Sequence, residues 1–267
     1  FTGWFDIAGG ATAAVRHLAG DDSRLVASID PDAFFDFTAR RPTVSLDGDD
    51  RRVVAWPRNE LRVGGASARS AGGPHDLVLL AGEEPNVRWG TFAGLLVEAV
   101  QRMRCEMVVT VGTVADTQPH TRVPLVFGSS TNEQLAARLG LSRPRYQGPT
   151  GVAGVVHDRL DRAGIPAISL RAPVPHYLAG TPNPKATVAL LQHLEHVLGV
   201  PTGHGDLADD VALWAVRHQE AVEADEDAPA YVRQLEAVHD QRLDAAVAEG
   251  DLAGELEAFL REQRADE

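Results

Sequence analysis

The chain has 267 residues, of which 44% are hydrophobic and 24% are charged, proportions ordinary for a globular protein. This balance excludes collagen-like, disulfide-knotted and wholly disordered chains. The formal net charge is −13, and residues 202–267 carry all of it, with 5 basic and 18 acidic residues. Because a nucleic-acid-binding protein carries a basic stripe and none is visible, we expect no nucleic-acid partner.

Cysteine content indicates a reducing compartment, and hydropathy shows neither a membrane span nor a secretory signal. A single cysteine, Cys105, cannot form an internal disulfide. No uncharged apolar run approaches the roughly 20 residues that a bilayer span needs. No cationic segment is followed by the apolar run of a secretory signal. We therefore expect a cytoplasmic protein without a membrane contact.

The first part of the chain predicts a small antiparallel insert. Three short runs have β-type composition: Leu25–Ile29, Thr43–Leu46 and Arg51–Trp56. Asp47-Gly48 lies between the second and third runs and is a hairpin-turn signal. A glycine-rich stretch at 64–73 lacks phosphate-loop spacing and is predicted to be a mobile connector.

The middle of the chain alternates between buried strands and helices. Apolar runs end at turn residues in Asp76–Gly82, Met107–Gly112 and Ile165–Leu170, a pattern typical of parallel strands covered on both faces. The spacing predicts helices over Thr91–Arg104 and Gly154–Gly164, each between two strands. Strand, helix and strand in this order predict an α/β fold with a mostly parallel central sheet.

The end of the chain differs in composition from the rest. A helix is predicted over Pro184–Leu198, and three acidic, alanine-rich helices follow at Asp206–Asp225, Pro229–Glu249 and Leu252–Arg264. We therefore divide the chain into an α/β domain at 1–201 and a helical region at 202–267. These acidic helices could dock a basic partner. Alternatively, their apolar stripe could cover the α/β body, through Leu207, Val211, Trp214 and Val222.

Polar side chains follow the predicted strands in loops rich in glycine and proline. If the strands are parallel, these loops meet at one edge of the sheet, where ligands bind in open α/β folds. The candidate ligand or interface cluster is Glu84, Asn86, Arg88, Thr113, His120, Arg122, Thr150, His176, Tyr177 and Lys185.

The first candidates in this cluster each admit two interpretations. Glu84 and Asn86 could hold a cation or sugar hydroxyls, or Glu84 could stabilise the start of the helix near Thr91. Arg88 could bind phosphate, or it could pair with a neighbouring glutamate. Thr150 could help bind phosphate at a helix N-terminus, or it could cap that helix.

The remaining candidates lie later in the chain. The His120-Thr121-Arg122 run could bind an anion or serve a subunit interface. His176 and Tyr177 could form an acid/base pair or a packed hydrogen bond. Lys185, the only lysine, could meet an anion or a carboxylate such as Glu84.

Metal and cofactor signals are weak. The spacing of His193, His196 and His204 permits a zinc interpretation, but no further ligand follows at motif spacing, so a solvated helix face is expected. No nucleophile elbow, phosphate loop, dinucleotide fingerprint or zinc-protease motif is present. We therefore expect no cofactor and no metal, and we assign no catalytic residue.

Several motifs together resemble the bacterial branch of the proteasome assembly chaperone 2 family. They follow one another over nearly all of residues 1–200: Gly3-Trp4-Phe5-Asp6, Ile29-Asp30-Pro31, Arg41-Pro42-Thr43, Gly82-Glu83-Glu84-Pro85-Asn86, Pro119-His120-Thr121-Arg122, Gly148-Pro149-Thr150-Gly151, Val174-Pro175-His176-Tyr177 and Asn183-Pro184-Lys185. The acidic helical tail is similar to that of actinobacterial members.

The resemblance implies a three-layer α/β/α sandwich like that of nucleoside phosphorylases, and a homo-oligomer, plausibly a trimer. Eukaryotic relatives are non-enzymatic chaperones that help to assemble the proteasome α-ring. The leading hypothesis is therefore a non-enzymatic assembly or interaction protein whose partners are copies of itself and proteasome subunits. The alternative is a binder or enzyme, phosphorylase-like or hydrolytic, that takes a nucleoside, phosphate or sugar at the strand-end edge.

Overall fold

A computed structural model describes residues 1–64, 68–70 and 73–248. The strands are β1 Arg24–Ile29, β2 Thr43–Leu46, β3 Arg52–Ala55, β4 Asn59–Val63, β5 Ala68–Ser70, β6 Gly73–His75, β7 Val78–Gly82, β8 Val108–Asp116, β9 Phe127–Ser129 and β10 Ala167–Pro175. The α-helices are α1 Gly10–Ala19, α2 Trp89–Arg102, α3 Glu133–Arg138, α4 Val152–Arg162, α5 Pro184–Leu198, α6 Ala208–Glu223 and α7 Ala228–Ala248. The helix predicted at Leu252–Arg264 lies outside the described residues.

The strands form two three-stranded sheets and two hairpins. One sheet has the order β1-β4-β7 and is antiparallel throughout. The other has the order β8-β10-β9, in which β10 pairs with β8 in parallel and with β9 antiparallel. The fold is therefore mixed α/β, as predicted, but the prediction of a mostly parallel central sheet is wrong, because most strand pairs are antiparallel.

The error has a physical cause. A strand covered by helices on both faces has the same apolar run whether its neighbours are parallel or antiparallel, so composition cannot choose between them. The strand–helix–strand order of β7, α2 and β8 does not put the two strands in one sheet, because β7 belongs to the β1-β4-β7 sheet and β8 to the β8-β10-β9 sheet. Likewise β1, which was predicted in the antiparallel insert, is part of the β1-β4-β7 sheet.

Alternating side chains divide the interior into two apolar cores. Ile168 and Leu170 of β10 pack in one core with α1 and α5, whereas Ala167 of the same strand packs in the other with α2 and α4. Successive side chains of a strand point to opposite faces, so helices cover both faces of this sheet. Phe92 and Leu190, both fully buried, are among the largest side chains in the two cores.

The first residues of the chain join the two sheets. Thr2 forms a parallel bridge with Glu83 beyond β7, and Asp6 forms a parallel bridge with Thr113 of β8. The backbone N–H of Thr113 donates to the Phe5 carbonyl at 2.8 Å. Asp6 also caps α1, because its carboxylate accepts the N–H of Ala11 at 2.9 Å. Below this junction, β7 and β8 line an apolar cavity of about 210 Å³.

The predicted hairpin is confirmed, with β2 and β3 in antiparallel register and the turn at Asp47. The glycine-rich stretch holds a second short hairpin, because Ala68–Ser70 pairs with Gly73–His75. The rest of the stretch predicted as a mobile connector, at 65–67 and 71–72, lies outside the described residues. Within the described part of the chain, no helix is long and apolar enough to cross a bilayer.

Two glycines give a matched test of this packing. A Cβ at Gly82, at the end of β7, would overlap Asn59 Oδ1 and approach the Arg58 carbonyl oxygen to 2.6 Å. We expect Gly82→Ala to lower the free energy of unfolding by about 1–3 kcal/mol. Gly94 lies in α2 with open space around it, so Gly94→Ala should raise that free energy by about 0.5–1 kcal/mol.

Urea denaturation of both variants measures the two effects. A Gly82→Ala chain as stable as the wild type would contradict the close packing of β4 on β7.

Candidate functional site

The strand-end rim is the group of loops after β8 and β10, and α6 and α7 cover it. His120, from the loop after β8, is buried there. Its backbone N–H donates to the Tyr177 hydroxyl oxygen at 2.9 Å, and its Nδ1 lies 2.8 Å from the same oxygen. Its Nε2 lies 3.2 Å from Gln219 Oε1 on α6. Lys185 Nζ donates to the His120 carbonyl at 2.7 Å. The loop that holds His120 is thus bonded to three other parts of the chain through its ring and its backbone.

Arg122 connects the same rim to α7. Its guanidinium donates two hydrogen bonds of 2.9 Å to the two carboxylate oxygens of Asp240, and a third of 3.1 Å to Glu236. Thr121 donates its hydroxyl to Glu236 as well. A fork of this kind is the favourable geometry for an arginine–carboxylate pair. The predicted anion-binding run therefore binds carboxylates, and these belong to the chain itself.

His176 adds a second contact between the strand-end rim and α7. Its Nδ1 lies 3.0 Å from the Asp116 carbonyl oxygen, and its Nε2 lies 3.0 Å from the Tyr231 hydroxyl on α7. Tyr177 bonds to His120 and not to its neighbour His176, so the predicted pairing of these two side chains does not form. The reason is geometric, because the two residues begin a single 3-10 turn and their rings point to different partners.

Burial and hydrogen bonding shift the pKa values of several groups at the strand-end rim. Desolvation lowers the pKa of His120 and, in the same way, the pKa of Lys185. Burial raises the pKa of the Tyr177 hydroxyl. The hydrogen bonds from Arg122 lower the pKa of Asp240 to about 2. A neutral His120 with its proton on Nε2 accepts from Tyr177 and donates to Gln219, so all of its polar atoms have partners.

A second group of candidates lies at the starts of α2 and α4. Glu84 Oε1 accepts the N–H of Val152 at 2.9 Å, and its Oε2 accepts the N–H of Trp4 at 3.2 Å. Glu84 thus serves the first turn of α4, not of α2 as was predicted. The interpretation of Thr150 as the cap is also wrong, because Gly151 stands at that position.

The other members of this group are structural. Asn86 Oδ1 accepts the N–H of Asp36 at 3.2 Å. Arg88 has a φ of 57° at the start of α2, and its guanidinium lies 5.9 Å from the centre of the Phe34 ring. The predicted glutamate partner of Arg88 is incorrect, since Glu83 pairs with Arg40 and Glu84 is occupied at α4.

Thr113 lies between the two groups. It is fully buried, and its hydroxyl donates to the Ile7 carbonyl at 2.5 Å, near the start of α1. Lys185 bonds to the His120 carbonyl, so the expected contact of Lys185 with Glu84 is replaced by a backbone acceptor. The structure brings His120, Arg122, His176, Tyr177 and Lys185 together, and it places Glu84, Asn86, Arg88 and Thr150 around other helix ends.

Two histidines of the zinc interpretation, His193 and His204, have partners within the chain, and Cys105 is half-buried. His193 Nδ1 lies 2.9 Å from the Ala189 carbonyl one turn earlier, and His204 contacts Glu195. No group of three potential metal ligands occurs in the residues that the structure describes. Cys105 is half-buried, and burial raises the pKa of its thiol, which disfavours a reactive thiolate.

Sequence reasoning missed the partners that α6 and α7 provide. Glu236 and Asp240 are four residues apart and thus share one face of α7, which could have indicated a basic partner. Tyr231 and Gln219 carry no comparable signal. His157 was also missed: its Nε2 lies 2.7 Å from the Thr110 hydroxyl, and burial lowers its pKa to about 4.

These features define a class: a mixed α/β protein whose strand-end rim is covered by its own C-terminal helices. The chain belongs to the PAC2 family, whose profile matches residues 1–222. This match extends past the predicted boundary at residue 201 and includes nearly all of α6.

Solved structures agree with this assignment. A PAC2 family protein from Streptomyces avermitilis is 37% identical, with a TM-score of 0.79 over 87% of this chain and 97% of that one. The proteasome-assembly chaperone homologue Rv2125 from Mycobacterium tuberculosis is 36% identical, with a TM-score of 0.77 over the same shares. PbaB from Pyrococcus furiosus, a proteasome activator, is 18% identical over 81% of this chain and 89% of that one. Its TM-score of 0.64 shows the fold alone. No protein of curated function matches.

The ion pairs of Arg122 predict a local effect. We expect Arg122→Gln to speed amide hydrogen exchange in α7 by about two- to fivefold, while exchange in β10 stays unchanged. Arg102→Gln is the matched control, because Arg102 pairs with Glu98 on an exposed face of α2. Unaltered exchange in α7 would show that the Arg122 contacts do not hold the cover.

His157 predicts a pH dependence. The folded pKa lies near 4, below the unfolded value of 6.5, so only the unfolded chain takes up this proton between those values. The free energy of unfolding should therefore fall by up to about 3 kcal/mol as the pH drops from about 6.5 to about 4. Urea denaturation at several pH values should show a shallower fall in His157→Gln. An identical slope in the two proteins would rule out His157 as the source.

Proposed function

We propose that this protein is a non-enzymatic assembly protein that binds proteasome-type subunits and associates with copies of itself in the cytoplasm. Its membership of the PAC2 family supports the proposal, together with 36% identity to a mycobacterial proteasome-assembly chaperone homologue over 97% of that chain. A likeness of this extent makes a related role the simplest expectation.

The observation that carries the proposal is that the polar side chains of the strand-end rim are bonded to other residues of the chain. In an α/β enzyme this edge would present polar groups to a ligand. Here Tyr177 bonds to the His120 ring and Lys185 donates to the His120 carbonyl, while the Arg122 guanidinium donates to Glu236 and Asp240 of α7. The alternative of a nucleoside, phosphate or sugar site at this edge gains no support from these contacts.

The acidic C-terminal helices act as a cover in the part of the region that the structure describes. Trp214 and Val222 of α6 are buried, as are Val232 and Leu235 of α7. The cover leaves many acidic side chains in solvent, for example Asp209, Asp210 and Glu220. A covered body with an acidic outer surface suits binding to proteins through surface contacts.

Reconstitution of a proteasome tests the role. Separately purified α subunits and precursor β subunits from a bacterium that has both a proteasome and this family should be mixed with and without the protein. We expect a complex with the free subunits that is absent with the mature particle, and a change in the rate at which 20S particles form. Native electrophoresis and sedimentation measure both.

Two controls sharpen the result. Arg102→Gln alters only an exposed pair on α2 and should behave as the wild type. Thermal-shift measurements with nucleosides, inorganic phosphate and sugars test the alternative, because a specific ligand raises the apparent melting temperature. Unchanged 20S formation and no complex with either subunit would overturn the proposed role.

A further inference from the structure

Side-chain hydrogen bonds fasten α7 to the strand-end rim. Arg122 donates to the two carboxylate oxygens of Asp240 at 2.9 Å and to Glu236 at 3.1 Å. Near the start of the helix, the Tyr231 hydroxyl lies 3.0 Å from His176 Nε2. Within the described part of the chain, no backbone hydrogen bond joins α7 to these loops. The helix is therefore held in the manner of a docked ligand, by its side chains.

The ion pairs at the centre of this contact are open to water. The Arg122 side chain is 36% exposed and that of Asp240 is 50% exposed, whereas that of Glu236 is 22% exposed. An ion pair that stays in contact with solvent contributes little net stability. Its geometry is nonetheless specific, because a guanidinium fork needs two suitably placed oxygens. Carboxylates of another protein can therefore reach Arg122 and take the same positions.

The face that α7 turns to the rim has the pattern of a recognition helix. Val232 and Leu235 are buried, and Glu236 and Asp240 follow on the same side of the helix, one turn apart. Amphipathic helices commonly bind protein surfaces through residues spaced three or four apart in this way. A helix of another protein with the same pattern would meet the same complementary surface.

The other charges of α7 lie away from Arg122. Arg242 is 3.9 Å from Asp116 at the end of β8, and Arg233 and Asp244 are exposed. The ammonium group of Lys185, on the rim, donates to a backbone carbonyl and not to α7. Charge recognition of α7 therefore rests on Arg122 and on the two carboxylates that it binds.

The family profile separates the rim from the helix that covers it. The profile ends at residue 222, and α7 begins at Ala228, so the rim lies inside the profile and α7 lies outside it. The connection at 224–227 is exposed. Pro229 stands in the first turn of α7 and prevents α6 from continuing as one helix. These features make α7 a separate unit that can leave the rim while α6 remains.

We propose that the rim around Arg122 is a docking site for a helix of an assembly partner that presents two carboxylates one turn apart, and that α7 occupies this site until the partner binds. The inference rests on the assembly role in the proposed function and names its surface. The partner's carboxylates replace Glu236 and Asp240 on the guanidinium. Because α7 is tethered, it competes at a local concentration on the order of millimolar, and it thus acts as an autoinhibitory helix.

A helix of a different protein fits this site better than α7 of a second copy. Exchange of α7 between two copies replaces each contact by an identical one and adds no new interaction at the rim. The connection between α6 and α7 has four residues, 224–227, which span at most about 14 Å. So short a tether favours docking of α7 on its own rim.

Release of α7 in the full chain tests the site. Glu236→Lys/Asp240→Lys places positive charges opposite Arg122, so amide hydrogen exchange in α7 should be about tenfold faster, with exchange in β10 unchanged. The probe is a fluorescein-labelled peptide with the wild-type sequence of residues 228–248. Fluorescence anisotropy should show that it binds the released chain about tenfold or more tightly than the wild-type chain, whose site is filled.

Matched variants separate the site from a general effect of charge. Glu220→Lys/Glu226→Lys makes the same change in charge at two exposed positions outside the contact, and this chain should bind the peptide as weakly as the wild type. A peptide that carries Glu236→Lys/Asp240→Lys should not bind the released chain. Circular dichroism checks that each variant is folded.

A charge swap tests the role of Arg122. Arg122→Glu, added to Glu236→Lys/Asp240→Lys, restores opposite charges across the contact. Exchange in α7 should then slow towards the wild-type rate, and the wild-type peptide should no longer bind. Exchange that stays fast in this triple variant, or equal peptide binding by the released and wild-type chains, would overturn the docking site.

Proteasome subunits test the partner. Free α subunits or precursor β subunits should bind the released chain about tenfold more tightly than the wild-type chain. Equal binding to the two chains, or self-association that is lost on release of α7, would overturn a partner helix as the occupant. Altered 20S formation without peptide binding removes the site and keeps the assembly role. Peptide binding with unchanged 20S formation, and no complex with either subunit, removes that role, so the two failures are distinguishable.

Discussion

The carboxylate of Glu84 joins three parts of the chain, and the arrangement of the two sheets depends on it. One oxygen accepts from the first turn of α4 and the other from Trp4, directly between the two bridges that the N-terminal segment makes. Helix starts have unpaired N–H groups that need an acceptor. Asp6 meets the same need for α1. Two acidic side chains thus hold the N-terminal segment, which bridges Glu83 beyond β7 and Thr113 of β8, to the starts of α4 and α1.

Satisfaction of buried polar groups also explains the strand-end rim. His120 and Lys185 would be costly to cover without partners. Tyr177, Gln219 and a backbone carbonyl supply those partners, so α6 and α7 can pack over the rim. The residues that the sequence predicted to bind a ligand are the same residues that allow α6 and α7 to pack over the strand-end rim. Their polar groups form hydrogen bonds, but the partners are other residues of the same chain.

Local features of the fold were predictable from the sequence, whereas strand partners were not. The helix over Pro184–Leu198 has an asparagine cap and a proline in its first turn, and its predicted bounds are those observed. The Asp47-Gly48 pair likewise predicted the β2–β3 turn correctly. The apolar run of β7 did not reveal its pairing with β4, because such a run has the same composition whichever strand lies beside it. For the same reason the cluster of ten candidates separates into groups, because a shared edge was inferred from a mostly parallel sheet, whereas β8 and β10 are the one parallel pair of strands in the described part of the chain.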